Sequence, residues 1–122
     1  MLDLGTGSTE SVDYPDFGYA VAAAIADGRA ERGLVICGTG IGISIAANRH
    51  PAVRAAVCTD PVAAKLARQH NDANVLALGA RLIGEVMAEE TLKAFLATAF
   101  EGGRHAHRVD KLSRPPVVSM SE

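Results

Sequence analysis

Tryptophan is absent from this sequence of 122 residues, and the other aromatic residues are only two tyrosines and three phenylalanines. So few aromatic side chains leave little material for stacking nucleic-acid bases. Positive charge is not in excess either, because 12 Lys and Arg residues stand against 14 Asp and Glu, a net charge of -2. These two absences argue against nucleic acid as the main partner.

Long hydrophobic runs are also missing, and no window approaches the roughly 18 uninterrupted apolar residues of a membrane span. The first residues show no basic stretch followed by an apolar one, so no secretion signal is predicted. Cysteine occurs only at Cys37 and Cys58, and neither belongs to a CxxC pair. Neither a zinc site nor a disulfide framework is therefore predicted, and a reducing cytoplasm is the simplest location.

Apolar residues make up 48% of the sequence and charged residues 21%, which is typical of a soluble globular domain. Short apolar runs predict strands at 33–37, 54–58 and 74–78, and Leu2 to Leu4 resembles the end of another strand. The helical patterns between and after them are 15–27, a helix beginning at Ile43, a helix capped by Asp60, 84–99 and 104–112. This alternation predicts a three-layer, Rossmann-like α/β fold, with a parallel sheet covered by helices on both faces.

Two of these helices have apolar side chains at helical spacing, which predicts their buried faces. In the first helix they are Phe17, Val21, Ala24 and Ile25. In the long fourth helix they are Ala88, Leu92, Phe95, Leu96 and Ala99. Residues 113–122, which include two adjacent prolines, are predicted to form a loose tail after a single domain at 1–112.

The segment 37–42, Cys-Gly-Thr-Gly-Ile-Gly, connects a predicted strand with a helix. A glycine turn there aims backbone N–H groups at one point, which favours negative charge and the thiolate form of Cys37. The alternatives are that Cys37 is a small buried hydrophobe and that the glycines form a tight turn without a ligand. Cys58 lacks such glycines and is expected in the core. A reactive thiol at the carboxyl edge of the sheet, where ligands bind, is the leading hypothesis.

Two further groups of residues could act on a ligand. His70 precedes the last predicted strand and could be an acid/base group or a solvated loop histidine. Arg104 and Arg108, four residues apart on a helix, could grip one phosphate or form a solvated basic turn. His105 and His107 lack further ligands nearby in the sequence, so they are poor evidence for a metal site.

Several motifs together resemble the ribose-5-phosphate isomerase B family, which also includes allose- and galactose-6-phosphate isomerases. The resemblance extends from Leu2 to about Leu112, and three of its motifs occur in the right order at compatible spacing. These motifs are 36–48, 68–75 and 100–105 with Arg108, and segment 11–16 fits as well.

The resemblance implies an aldose–ketose isomerase that interconverts ribose 5-phosphate and ribulose 5-phosphate through an enediolate. Cys37 would be the general base that removes the proton at C2 and returns it to C1. His70 would help to open the sugar ring, with Thr39 assisting, and Asn71 would hold substrate hydroxyls. One branch of the family has a glutamate base four residues later in the loop. Because Ile41 occupies that place, this chain is similar to the cysteine branch.

The resemblance also implies how the substrate is held. The backbone amides of the loop would stabilise the enediolate, and these are the amides of Gly38, Thr39, Gly40, Ile41 and Gly42. The phosphate would be bound by Arg81, Arg104 and Arg108. No metal or organic cofactor is implied. Members of the family are homodimers or dimers of dimers with shared active sites, so a partner chain would supply some of these groups.

Family members carry an Asp-His pair on a first strand, followed by a helix, upstream of the point that matches Leu2. Without them, apolar surface and unpaired backbone groups would be exposed. We therefore expect Met1 to be a mis-assigned start, although a fragment or a strand supplied by a partner would also fit. Two other functions remain open from the sequence, a partner-dependent non-catalytic subunit and a phosphate- or nucleotide-binding module. The length of the sugar cannot be predicted from these motifs.

Overall fold

The computed structural model describes residues 2–5 and 13–117. Its helices and strands, in chain order, are α1 (Tyr14–Ala26), β1 (Gly33–Cys37), α2 (Ile41–Ala47), β2 (Ala55–Val57), α3 (Pro61–Asn71), β3 (Val75–Gly79), α4 (Glu85–Ala97) and α5 (Arg104–Leu112). The predicted alternation of helices and strands is thus confirmed. Within these described ranges, no helix is both long and apolar enough to cross a membrane.

The three strands form one parallel sheet in the order β1-β3-β2. β3 lies in the middle and all of its residues are buried, as expected for a strand covered on both faces. The register pairs Gly33 with Val75 at the amino end and Cys37 with Gly79 at the carboxyl end. Cys37 therefore lies at the edge of the sheet where α/β proteins bind ligands.

Alternate residues of β3 face two separate cores, which confirms the three-layer architecture. Val75 and Ala77 pack with side chains of α1 and α2, while Leu76 and Leu78 pack with side chains of α3 and α4. Phe17, Val21 and Ile25 contact the first core as predicted, and Ala24 is buried. The second core contains Phe95 and also Cys58, so the prediction that Cys58 is a core residue is confirmed.

The starts of two helices illustrate how local sequence sets the boundaries. The carboxylate of Asp60 accepts a hydrogen bond from the amide of Ala63 at 2.8 Å, which confirms the predicted cap of α3. α2 begins at Ile41, two residues before the predicted Ile43. The reason is Gly40, whose φ of 79° ends the loop and places Gly42 inside the first helical turn.

Three expectations about the apolar pattern were wrong. Residues 2–4 form no strand and pair with no described strand, and the carboxylate of Asp3 instead accepts a local hydrogen bond from the Gly5 amide. Leu96 is 58% exposed and Ala99, beyond the end of α4, is exposed as well, because α4 packs through a narrower stripe around Phe95. Thr91, which the apolar pattern does not include, is fully buried beside Phe95, and its hydroxyl donates to the carbonyl of Met87 at 2.7 Å.

The predicted tail is described only in part. Residues 113–117 contain no helix or strand, and residues 118–122 lie outside the described residues. Segment 6–12, which includes the first residues of the matching segment 11–16, lies outside them too. The division into a domain at 1–112 and a loose tail stays a prediction.

Candidate active site

Residues 37–42, here called the Cys37 loop, surround the sulfur of Cys37. The backbone amide of Gly40 donates a hydrogen bond to Sγ of Cys37 at 3.2 Å. The amide of Ile41 donates to Oγ1 of Thr39 at 3.1 Å, which holds the threonine side chain over the start of α2. Cys37 itself is only partly buried, so the sulfur is supported by the loop and still accessible.

These contacts change the acidity of the thiol. Burial raises the pKa of Cys37, but hydrogen bonds from the amides of Ile43, Thr39 and Gly40 and from the Thr39 hydroxyl act in the opposite direction. They outweigh burial, and the pKa of Cys37 lies below its ordinary value. Burial and the nearby Asp60 instead raise the pKa of Cys58 to about 11. The structure thus contains one thiol prepared for the thiolate form and one held neutral.

Close backbone packing gives the loop its shape. A Cβ atom at Gly79 would lie 2.6 Å from the carbonyl oxygen of Thr39. Only glycine at this position therefore allows the end of β3 to pack directly against the loop. The amide of Arg81 donates to the carbonyl of Gly38 at 2.9 Å, and the Arg81 side chain lies against Gly38. Arg81, predicted from the resemblance to bind phosphate, is therefore placed beside Cys37.

Tyr14 was not predicted to be near this loop. Its ring lies 2.6 Å from the position that a Cβ at Gly42 would occupy, so the ring covers the first turn of α2. Tyr14 remains 45% exposed, at the start of α1. Tyr14 belongs to segment 11–16, which matches the family, and this match was the sequence evidence for its importance. Nothing in the local sequence indicates which loop Tyr14 would contact.

A second group of predicted residues gathers where α3 ends. His70 and Asn71 form the last turn of α3, and the ring of His70 stacks on that of His105, with 4.5 Å between centroids and 18° between planes. Arg104 and Arg108 lie four residues apart and exposed on α5, as predicted. The structure therefore places the histidine and the amide at the end of α3 and the two arginines on α5, the helix whose His105 contacts His70.

A buried arginine holds this second group in place. Arg68 is only 5% exposed, and its guanidinium donates to the carbonyls of Thr98 and Ala73 at 2.9 and 2.7 Å and to the carboxylate of Asp72 at 2.8 Å. These bonds join the end of α3 to the segment that leads into α5. The sequence pattern did not predict this role, because nothing local distinguishes a buried arginine from a solvated one.

The residues around Cys37 and the residues around His70 lie at opposite ends of the sheet. Cys37 is level with the carboxyl end of β3, whereas the last turn of α3, with His70, leads into the amino end of the same strand. The five residues of β3 span about 13 Å. Within one chain, Cys37, Thr39 and Arg81 are therefore neighbours, and His70, Asn71, Arg104 and Arg108 form a separate group.

Three groups that could ligate a metal ion converge in the second group. The side-chain donor atoms of His70, Glu101 and His105 all lie within 4.8 Å of one another. Nε2 of His105 is 3.6 Å from Oε1 of Glu101. Burial, His70 and Arg104 lower the pKa of His105, against the opposing effect of Glu101. The sequence did not predict this cluster because its members come from two helices and a connecting loop.

Comparisons with known proteins cover both groups. Residues 1–112 match the family model described as Ribose/Galactose Isomerase. The chain is 49% identical over 113 residues to ribose-5-phosphate isomerase B of Escherichia coli, covering 93% of this chain and 76% of that protein. It is 48% identical over 103 residues to D-erythrulose-4-phosphate isomerase of Pectobacterium atrosepticum, covering 84% of this chain and 68% of that protein.

A solved structure agrees with these matches. Ribose-5-phosphate isomerase B of Clostridium thermocellum superimposes with a TM-score of 0.90 at 55% identity, covering 92% of this chain and 76% of that one. The similarity therefore includes the Cys37 loop, the end of α3 and α5, together with the sheet that separates them.

Proposed function

The chain belongs to the ribose/galactose isomerase family, and from this membership and the geometry of the Cys37 loop we propose that it interconverts ribose 5-phosphate and ribulose 5-phosphate. The reaction moves one hydrogen between C1 and C2 of the open-chain sugar phosphate, so it needs a base and a stabilised enediolate. The observation that carries the proposal is the partly buried thiol of Cys37, with amide donors directed at its sulfur and a lowered pKa.

Cys37 is the proposed base. Its thiolate removes the proton from C2 of the aldose, while the C1 carbonyl oxygen takes up the negative charge of the enediolate. A proton then moves from the O2 hydroxyl to O1, and the thiol returns its proton to C1, which leaves a carbonyl at C2. The thiolate is regenerated, so no redox partner or cofactor is consumed.

The loop amides are the proposed stabilisers of the enediolate. Backbone donors of a rigid loop stabilise charge that develops on a substrate oxygen. The amides of Gly40 and Ile41, which donate to Cys37 and Thr39 before substrate binds, would have to turn to that oxygen. These donors belong to residues 38–42, and the positive charge of Arg81 lies beside them. Thr39 keeps its proposed role of assisting ring opening and also acts on the base, because its hydroxyl contributes to the lowered pKa of Cys37.

Ring opening and phosphate binding are assigned to the second group. His70 donates a proton to the ring oxygen while the C1 hydroxyl releases its proton to solvent, so that C1 becomes the carbonyl. Asn71 holds hydroxyls, and Arg104 and Arg108 bind the phosphate with paired guanidinium donors. Because this group lies one strand length from Cys37 of its own chain, a complete site needs these residues from another copy. The proposal therefore includes a homodimer with two shared sites.

The assembly beyond a dimer and the cellular location are proposals of the same kind. A dimer of dimers would keep the shared sites intact. Both cysteines are free in the structure, and the proposed base works only as a reduced sulfur. We therefore place the reaction in a reducing compartment, the cytoplasm.

The test is conversion of ribose 5-phosphate by the purified chain, with Cys37→Ala and Cys58→Ala compared under the same conditions. We expect Cys37→Ala to abolish turnover and still bind the sugar phosphate. Cys58→Ala removes the other sulfur from a core position, so it should keep activity as long as it folds. Equal turnover in the wild type and Cys37→Ala would overturn the role of Cys37.

The same assay should be run with other aldose phosphates. A relative that matches 84% of this chain is named for a four-carbon substrate, D-erythrulose 4-phosphate. Parallel measurements with four-, five- and six-carbon sugar phosphates therefore test the substrate separately from the reaction type. A preference for another chain length would correct the substrate and leave the isomerase mechanism in place.

A further inference from the structure

The stacked histidines at the end of α3 form part of a three-donor cluster. His70 comes from α3, His105 from the first turn of α5, and Glu101 from the loop between α4 and α5. His105 is 9% exposed, whereas half of the Glu101 side chain is accessible. The cluster is thus supported on its protein side and open on one side to solvent.

The supporting elements are tied together without any ion. The amide of Glu101 donates to the carbonyl of Gln69 at 3.1 Å, and Arg68 bonds to the carbonyl of Thr98. One backbone bond and one side-chain bond thus hold the loop against α3. The three donor atoms already lie within 4.8 Å of one another on this support.

The donor types match a first-row transition metal. Two imidazoles and one carboxylate form a ligand set that holds Zn²⁺ with one open position. Zinc–nitrogen bonds of about 2.0–2.1 Å require the donors to come closer than their present spread of 4.8 Å. The two rings must also tilt from their stacked arrangement, and the exposed carboxylate of Glu101 can follow.

The surrounding charges limit how tightly an ion would bind. Arg104 and Arg108 lie on the same helix as His105 and act on it electrostatically, and Glu101 is the one carboxylate in the cluster. Hard cations such as Mg²⁺ prefer oxygen ligands, so this set of donors disfavours them. Zn²⁺ forms strong bonds to imidazole and therefore suits the site better.

We propose that His70, Glu101 and His105 bind Zn²⁺ or a similar divalent transition metal ion, and that this binding inhibits the isomerase. The inhibitory part rests on the proposed function, in which His70 donates a proton to the sugar ring. A ring nitrogen that ligates a metal cannot carry that proton. The ion would thus block ring opening while Cys37 and its loop remain unchanged.

The binding part is tested without reference to activity. Zn²⁺ is titrated calorimetrically into the full chain carrying Cys37→Ala, which removes the accessible thiolate as a competing ligand. In this background we expect Glu101→Gln and His105→Gln each to weaken Zn²⁺ binding more than about tenfold. The matched control is His107→Gln, because His107 is an exposed histidine of the same helix outside the cluster. It should leave the affinity unchanged.

Two results would overturn the binding part. One is undiminished affinity in Glu101→Gln, whose exposed side chain can be changed with little risk to folding. The other is an equal loss of affinity in His107→Gln, which would indicate scattered binding by surface histidines. Thermal unfolding of His105→Gln shows whether its loss of Zn²⁺ affinity reflects misfolding. If it does, the Zn²⁺ affinity of Glu101→Gln alone tests whether the cluster binds the ion.

The inhibitory part is tested on chains that keep Cys37, with each rate compared with the same variant's rate in a chelator. We expect Zn²⁺ to inhibit the wild type and His107→Gln, and inhibition to require about tenfold more Zn²⁺ in Glu101→Gln. Equal inhibition of all three would mean that the ion acts elsewhere, for instance at Cys37. If the chain has no isomerase activity at all, the proposed function fails while the calorimetric result stands.

Discussion

Cys37 and His70 lie at opposite ends of one parallel sheet, the first at the carboxyl end of β1 and the second in the last turn of α3, which leads into the amino end of β3. Each residue has its own set of neighbours, the loop amides for Cys37 and His105 for His70. The proposed reaction uses both residues and therefore includes a site shared between two chains, since β3 alone spans about 13 Å.

Complementation should reveal such shared sites. Cys37→Ala and His70→Ala are each expected to be inactive as pure proteins. When the two are mixed, unfolded and refolded together, half of the dimers would be mixed, and each mixed dimer would contain one intact site. We expect about a quarter of the wild-type activity per chain in the ribose 5-phosphate assay.

The control for complementation is a mixture of Cys37→Ala with the double variant Cys37→Ala/His70→Ala, which can form no intact site. Its activity should stay at the background level. No recovery in the first mixture, with dimers present by size-exclusion chromatography, would contradict a site that is shared between chains.

The pH dependence should report on Cys37. Because its pKa lies below the ordinary value, the thiolate persists to lower pH, and kcat/KM should fall only as the pH drops through this lowered pKa. Thr39→Val removes the hydroxyl that favours the thiolate, so the pKa of Cys37 should rise and the acid limb should move to higher pH. Thr59→Val, an exposed position, is the control. An acid limb that does not move in Thr39→Val would argue against this contact.

The two arginines on α5 should act mainly on substrate binding. Arg104→Ala or Arg108→Ala removes a charged donor to the phosphate, and KM should rise about tenfold to a hundredfold, because such bonds contribute about 1.5–3 kcal/mol. Arg114→Ala is the control, since Arg114 is exposed and already paired with Asp110. A KM that changes equally in all three variants would indicate a general charge effect.

Gly79 should be essential for the position of the loop. In Gly79→Ala the new Cβ would meet the carbonyl oxygen of Thr39 at 2.6 Å, so the loop must shift away from β3. A shift of the catalytic base by about 1 Å is expected to lower kcat by about a hundredfold. Gly84→Ala provides the comparison, because nothing lies within 4 Å of its added Cβ. Full activity of Gly79→Ala would show that the loop tolerates the shift.

Several features of the fold were predictable because they depend on near neighbours in the chain. The strand at Gly33–Cys37 and the helix at Arg104–Leu112 have the predicted bounds, and the cap at Asp60 uses a residue only three positions away. The apolar pattern was less reliable on α4. It included Leu96, which is exposed, and omitted Thr91, which is buried because its hydroxyl bonds within its own helix.

Contacts between distant segments were the part that could not be predicted. Tyr14 covers Gly42, Arg68 joins α3 to the segment before α5, and His70 stacks on His105. Each pairing depends on how two elements pack. An exposed arginine and a buried one look alike in a sequence, and so do a free histidine and a stacked one.

The sequence by itself determined the order of strands and helices, the glycine loop after Cys37 and the membership in its family. These follow from local backbone preferences, the spacing of apolar residues and the identity of the motifs. Only the tertiary structure decided that the Cys37 loop and the His70 group are separated by the length of the sheet, and that Glu101 joins two histidines. The physical reason is that distances between segments far apart in the chain are set by the packing of the helices on the sheet, which no local pattern contains.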